Sequence, residues 1–166
     1  MLVGCVLVLV RVKLPRMSKA EIDKLLSEQF LCRIAFGGKQ APYIAPFQYV
    51  FIDGSPYFHF TDYGKKMGLL EEGKPVCVEI EHYTPDLGEY GFVVLVGKLH
   101  VVTNLKEKAN AITRMIEDAK AKRLSTNFLP AHGVPKESDW SSLNEEKPLV
   151  VVKLVDVTEI NGLKSP

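Results

Sequence analysis

The sequence predicts a mainly β fold, a small closed or partly open antiparallel barrel with helices covering an end or a seam; a sandwich is the alternative. Three observations carry this. Short runs rich in Val, Ile, Phe and Tyr recur along the chain, tight-turn residues separate several of them, and only isolated segments have helical spacing.

The elements follow in order. Met1 to Val10 reads MLVGCVLVLV, and its cations, Arg11, Lys13 and Arg16, follow the apolar run, unlike those of a secretory signal. The run is also shorter than the about 20 residues that a membrane-spanning helix needs. Residues 1–16 are therefore read as an N-terminal extension and 17–166 as a single domain. Ser18 and Glu21 form a capping box, and Ile22, Leu25, Leu26 and Phe30 fall at helical spacing, which predicts a helix over 18–29. Strands are expected at 31–36, 43–52, 56–61, 76–81 and 92–102, with breaks at Gly37-Gly38, Asp53-Gly54 and 86–91. Asp53-Gly54 is a hairpin signal. Asn104 with Glu107 caps a longer helix whose apolar face is Leu105, Ala109, Ile112, Met115, Ile116 and Ala119. Residues 125–147 lose periodicity around Trp140, the only tryptophan, and 149–157 (LVVVKLVDV) is the last strand. The runs Phe92 to Val96 and Leu149 to Val152 are too apolar for simple alternation, so both faces of those strands should be covered, one of them by a partner subunit.

Composition narrows the function. The chain has 166 residues, 46% of them hydrophobic, with 21 Lys plus Arg against 20 Asp plus Glu. That length supports a core of its own, and the near-zero net charge gives no bulk attraction to nucleic acid or an anionic membrane. A small molecule or another protein is the expected partner. Cys5, Cys32 and Cys77 are too far apart for a zinc CxxC site and odd in number for a disulfide framework, which points to a reducing, cytoplasmic compartment. His59, His82, His100 and His132 have no metal-ligand spacing, so no metal is expected. No GxSxG, P-loop or GxGxxG motif is present.

Three features remain as candidates for binding. In Tyr57 to Pro75 a strand ends at a polar corner, Thr61 to Gly64, and Lys65 and Lys66 open a short helix. Unpaired first-turn amides beside two ammonium groups suit an anion such as phosphate, although a Lys-Lys pair is also an ordinary solvated turn. Gln48 stands in the apolar strand Pro46-Phe47-Gln48-Tyr49, either facing a ligand or lying outward beside Tyr49; proline there marks an edge or bulge. Arg33 is either an ion-pair residue or an anion ligand.

The order of these parts carries a resemblance: helix, R-I-A strand, P-F-Q-Y-V strand, D-G turn, Y-F-H-F-T strand, G-K-K helix, P-V-C-V-E strand, then V-L-V-G-K-L. It resembles the pyridoxamine 5′-phosphate oxidase-like split-barrel family, within it the flavin-nucleotide-binding branch that includes nitroimidazole-resistance reductases. The likeness covers roughly Pro15 to Val102 and, loosely, the last strand. It implies a six-stranded split barrel, an obligate homodimer and FMN at the dimer interface. By the same resemblance, Lys65 and Lys66 match the pair that grips the phosphate, and Phe58, His59, Phe60 and Thr61 match the strand lining the cofactor. Pro46, Phe47, Gln48 and Tyr49 match the strand under the isoalloxazine ring. Arg33 is carried over as a further cofactor residue, His59 as the histidine near the cofactor, and Trp140 as either a lid over the ring or a hydrophobic plug. Phe92 departs from the pattern, standing where relatives often place a Ser or Gln.

The resemblance thus implies an FMN-dependent oxidoreductase acting on a small molecule, served by a nicotinamide donor, in which the flavin carries the chemistry and no catalytic side chain is assigned. Vitamin B6 oxidation would need a second basic site near the C-terminus, where Leu154 to Pro166 supplies only Lys164. A deazaflavin-binding reductase of the same fold, or a non-catalytic flavin carrier or interaction protein, are the alternatives. Haem would need an axial histidine near the C-terminus, which the sequence lacks.

Overall fold

In a computed structural model of the chain, residues 13–37, 41–135, 137–143 and 149–166 are described. The apolar run at 1–10, Cys5 and the Gly38 half of the Gly37-Gly38 break lie outside them. The element order is α1 (Lys19–Glu28), β1 (Leu31–Phe36), β2 (Tyr43–Ile52), β3 (Ser55–Thr61), α2 (Lys65–Glu71), β4 (Val76–Tyr83), β5 (Tyr90–Val101), α3 (Leu105–Ala121) and β6 (Leu149–Lys164), with 3₁₀ turns at Thr126–His132 and Trp140–Ser142. The six strands close a barrel in the order β1-β2-β3-β6-β5-β4, every neighbouring pair antiparallel.

Local chemistry sets several of these elements. Ser18 and Glu21 exchange both capping-box bonds at the start of α1. Asp53 (φ 47°) and Gly54 (φ 79°) both have positive φ between the paired residues Ile52 and Ser55, the geometry a two-residue hairpin demands of this dipeptide. Alternation along β1 turns Cys32, Ile34 and Phe36 inward, where they join Phe58, Phe60, Val78, Ile80 and others. α1 and α2 dip Leu25, Leu26 and Leu70 into the same interior, and each such side chain removed from water contributes about 1.5–3 kcal/mol.

A second core lies outside the barrel wall. There α3 packs Ala111, Ile112, Met115 and Ala119 on Val50 of β2, Tyr57 of β3 and Val151 of β6, with Trp140 and Leu143 filling in from the 3₁₀ region. Of the segment 125–147, expected as an irregular loop, the described residues Leu129, Val134, Trp140 and Leu143 are packed into this core with α3. Leu105, placed on the buried face by its spacing, is 73% exposed; it is the first residue of α3, ahead of the turns that meet the wall. Glu107, one turn in, accepts from Tyr57 Oη at 2.7 Å and Lys153 Nζ at 3.1 Å and pins that end of α3.

β6 runs seven residues beyond the expected end at Val157. Polar residues Thr158, Glu159 and Asn161 interrupt its apolar run, yet the backbone continues to pair with β5 after a bulge opposite Gly97, where Asp156 takes φ 49°. A Cβ at Gly97 would lie 2.7 Å from the Val155 carbonyl oxygen, so only glycine lets the two strands meet at the bend. The end of β6 is clasped by residues 15–17 and α1. Met17 N donates to Gly162 O at 2.9 Å, Lys164 N to Pro15 O at 3.1 Å, and Lys164 Nζ to the Glu21 carboxylate. Lys164 and the Ser18 donors hold the Glu21 carboxyl at about 2, against an ordinary 4.5. A carboxyl depressed by folding stabilises above its unfolded value and loses that contribution as pH falls through the folded one. Glu21→Gln is accordingly expected to flatten the fall of Tm between pH 4.5 and 2; an acid limb identical to wild type would show that the clasp does not form in solution.

Candidate functional site

β2 and β3 do not stay together along their whole length. Their ladder runs from the hairpin to Tyr49 opposite Phe58; beyond it β2 pairs only with β1, over residues 43–48, while His59 to Thr61 of β3 pair with β6. The barrel wall is split there. Tyr49 N donates to Phe30 O on the β1 side at 3.0 Å, so by alternation the Pro46 nitrogen points away from β1, toward the split. Proline forfeits no ladder bond at such a position, which is why it is tolerated inside a long strand.

The split opens into a cavity of about 510 Å³, within the range of small-molecule sites. Residues of both parities reach it, Tyr43, Ala45 and Phe47 as well as Pro46 and Gln48, as an unpartnered strand edge allows. His59 and Thr61 face it from β3, both with outward parity, while Phe58 and Phe60, which alternate with them, point into the barrel. Phe47 forms part of the floor, stacked on Phe60 with centroids 4.5 Å apart.

One end of the cavity is basic. Gly64 precedes α2 with φ 90° and ψ 174°, a region open essentially to glycine alone, and this turn brings Lys66 back over the end of β3. Its Nζ donates to Thr61 Oγ1 at 2.5 Å and Tyr63 O at 2.9 Å and lies 5.1 Å from the Tyr63 ring centroid. Burial pushes the Lys66 ammonium below its ordinary pKa, with Asp62 opposing the shift. Lys65 rests 5.4 Å over the Tyr43 ring at the same end. Neither lysine makes an ion pair among the described residues. Two cations held on neutral acceptors and ring faces at the mouth of a cavity are disposed to receive an anion.

The other end is apolar. Trp140 is 5% exposed and donates Nε1 to Leu124 O at 3.0 Å, which ties its 3₁₀ turn to the end of α3. Leu124, Ser125 and Trp140 form one wall, and Phe30 and Leu31 line the cavity after α1. Trp140 is thus plugged into its own chain's second core with one side toward the cavity.

Seven of the twelve expected binding residues meet here: Pro46, Phe47, Gln48, His59, Thr61, Lys66 and Trp140. Lys65 stands at the rim through its contact with Tyr43. Phe58, Phe60 and Tyr49 are inside the barrel, where Tyr49 Oη donates to Leu26 O at 2.8 Å. Arg33 is elsewhere, on the outer face of β1, with Nη1 2.5 Å from Glu81 Oε1 and 3.4 Å from Glu79 Oε2. Phe92, which breaks the family pattern, pairs with Glu81 and Leu163 on β5. Phe30, Leu31, Tyr43, Ala45, Leu124 and Ser125 are lining residues that the sequence reading missed. Tyr43 was within reach, since it begins the strand that carries Gln48; Leu124 and Ser125 gave no local signal because the packing of α3 places them.

These features define the class, a six-stranded split-barrel protein with an anion-ready cavity where the wall parts. The profile of the family described as pyridoxamine 5′-phosphate oxidase matches residues 18–144, and the chain belongs to that family. No curated protein matches the sequence. Solved structures with this fold include an FAD-binding protein of Mesorhizobium loti (16% identity, TM-score 0.62, 93% of this chain and 100% of that one). An FAD-binding protein of Mycobacterium smegmatis is similar (16%, 0.62, 92% and 100%). So is a protein assigned to 5-nitroimidazole antibiotic resistance in Bacteroides thetaiotaomicron (16%, 0.64, 92% and 87%). At these identities the likeness is one of fold. Among the described residues no helix is long and apolar enough to cross a membrane.

Proposed function

We propose that the chain binds FMN in the split and works as a flavin-dependent oxidoreductase on a small molecule, with a nicotinamide donor and with the site at the interface of a homodimer. The observation that carries this reading is the part-buried Lys66 ammonium, donating to the neutral Thr61 Oγ1 and Tyr63 O, at the basic end of a cavity of about 510 Å³. A phosphate there would displace weak partners in favour of charge-assisted bonds from Lys65, Lys66 and Thr61. The ring would lie along the β2 edge over Pro46 and Phe47. Gln48 and His59 supply side-chain polar groups beside it, which a ring edge rich in nitrogens and carbonyls needs once it leaves water. Trp140 and Leu124 exclude solvent from the other end.

When bound, the flavin supplies the hydride or electron chemistry; the residues around it bind, orient and dehydrate. Among them His59, 8% exposed on β3, is the side chain best placed to hold or move a proton.

The test is the absorbance spectrum of the purified protein, followed by mass identification of whatever denaturation releases. A yellow protein releasing FMN is expected; release of FAD would redirect the phosphate end toward a dinucleotide. A colourless protein that refuses added FMN would overturn the reading and favour a deazaflavin. Reduction of the bound flavin by a nicotinamide donor separates an enzyme from a passive carrier, which no donor would reduce.

A further inference from the structure

Lys65 and Lys66 are adjacent in sequence but are tied to opposite banks of the split. On one bank β3 ends at Thr61, and Lys66 returns to it through Thr61 Oγ1 and Tyr63 O. On the other bank β2 begins at Tyr43, where it pairs with β1 alone among the described strands. Lys65 reaches across to this bank, and its Nζ stands 5.4 Å over the centroid of the Tyr43 ring. Among the described residues no hydrogen bond or ion pair competes for the Lys65 ammonium.

The ring itself is fixed. Tyr43 is half-buried opposite Phe36 at the end of β1, with ring centroids 5.8 Å apart. Phe36 lies 6.2 Å from Phe47, which is stacked on Phe60 at 4.5 Å. A row of aromatic rings therefore runs from the mouth of the cavity to its floor and ends in the barrel core. A ring anchored in this way gives up little freedom when a cation settles on it, and it narrows the many rotamers of an exposed lysine. It also attracts the ammonium without neutralising it, as a carboxylate would, so the charge stays available to an anion. The Tyr43 hydroxyl makes no hydrogen bond among the described residues, and the contact belongs to the ring.

We propose that Tyr43 is a positioning residue: its ring draws the Lys65 ammonium across the mouth of the split, so that Lys65 from the β2 bank and Lys66 from the β3 bank close on one phosphate. That the phosphate belongs to a flavin rests on the reading above; the hold on Lys65 does not.

The first test needs no flavin. Proton–carbon NMR of the full chain should show the Lys65 ε-methylene shifted upfield by the Tyr43 ring current, with the Lys65 and Lys66 signals assigned by their loss in Lys65→Ala and Lys66→Ala. The shift should persist in Tyr43→Phe and vanish in Tyr43→Leu. An unshifted Lys65 signal in wild type would overturn the proposal. Inorganic phosphate titrated into the same sample should move both lysine signals with one dissociation constant; movement of Lys66 alone would overturn it as well.

The second test is quenching of flavin fluorescence. Tyr43→Leu should weaken FMN binding about three- to tenfold, the scale of a partly screened cation–π contact, and leave riboflavin binding unchanged. Tyr43→Phe should match wild type with both ligands. Added to Lys65→Ala, Tyr43→Leu should cost nothing further, because the ring then has no cation to hold. A loss shared by FMN and riboflavin, or one that persists in the Lys65→Ala background, would make Tyr43 a wall residue only and overturn the proposal. A wild type that binds neither flavin, yet shows the ring-current shift and the joint response to phosphate, would leave the role of Tyr43 standing and sink the cofactor reading instead.

Discussion

A chain carrying both Lys65→Ala and Lys66→Ala is expected to bind FMN about a hundredfold or more weakly than wild type. Charge-assisted hydrogen bonds contribute about 1.5–3 kcal/mol each, and losing two costs about 3–6 kcal/mol before any compensation, against about 1.4 kcal/mol per tenfold in affinity. Lys66 should carry more of the loss than Lys65, because it is the one drawn over Thr61 and partly removed from water. The measurement is quenching of flavin fluorescence on titration, repeated with riboflavin, which has the ring but no phosphate. FMN affinity should collapse while riboflavin affinity stays within a fewfold of wild type. An equal loss for both ligands would move the phosphate away from these lysines, and unchanged FMN affinity would refute their role outright.

Phe58→Ala is expected to cost about 3–5 kcal/mol of stability, the usual toll for deleting a buried aromatic side chain. At about 2–4 °C per kcal/mol for a domain of this size, the melting temperature should fall by roughly 6–20 °C. Phe58 has no exposed surface, and its ring centroid lies 6.4 Å from that of Tyr49 inside the barrel. The resemblance assigns the whole segment Phe58 to Thr61 to the cofactor, whereas alternation in the folded barrel gives His59 and Thr61 to the cavity and Phe58 and Phe60 to the core. The variant distinguishes the two roles. Well below its melting temperature it should still bind FMN within a fewfold of wild type. A small stability loss accompanied by lost flavin would put Phe58 in the cavity.

Much of the fold is legible without coordinates because its determinants are local. The Ser18–Glu21 capping box, the Asp53-Gly54 hairpin and the alternation of β1 each need only residues within a few positions of one another. The part of β6 beyond Val157 is not legible in the sequence for the converse reason. Its last residues are polar, and it is the backbone of β5, bent at Gly97, that makes them a strand.

The candidate site divides in the same way. The order of residues alone places Lys65 and Lys66 after a glycine that follows a strand, Pro46 where a strand can spare an N–H, and a tryptophan in the segment after α3. Those facts are matters of residue type and short spacing. Long-range pairing sets where β2 and β3 part, at Tyr49 and Phe58, so that the Pro46 and Lys66 segments line one cavity. Tertiary packing of the end of α3 brings Leu124 and Trp140 to the opposite wall. Arg33 makes the same point from outside the cavity: its partners, Glu79 and Glu81, are 46 and 48 residues away in sequence and become neighbours only when β1 pairs with β4. A cation's role follows from the charges that closure of the barrel brings within reach of it, and closure is a property of all six strands together.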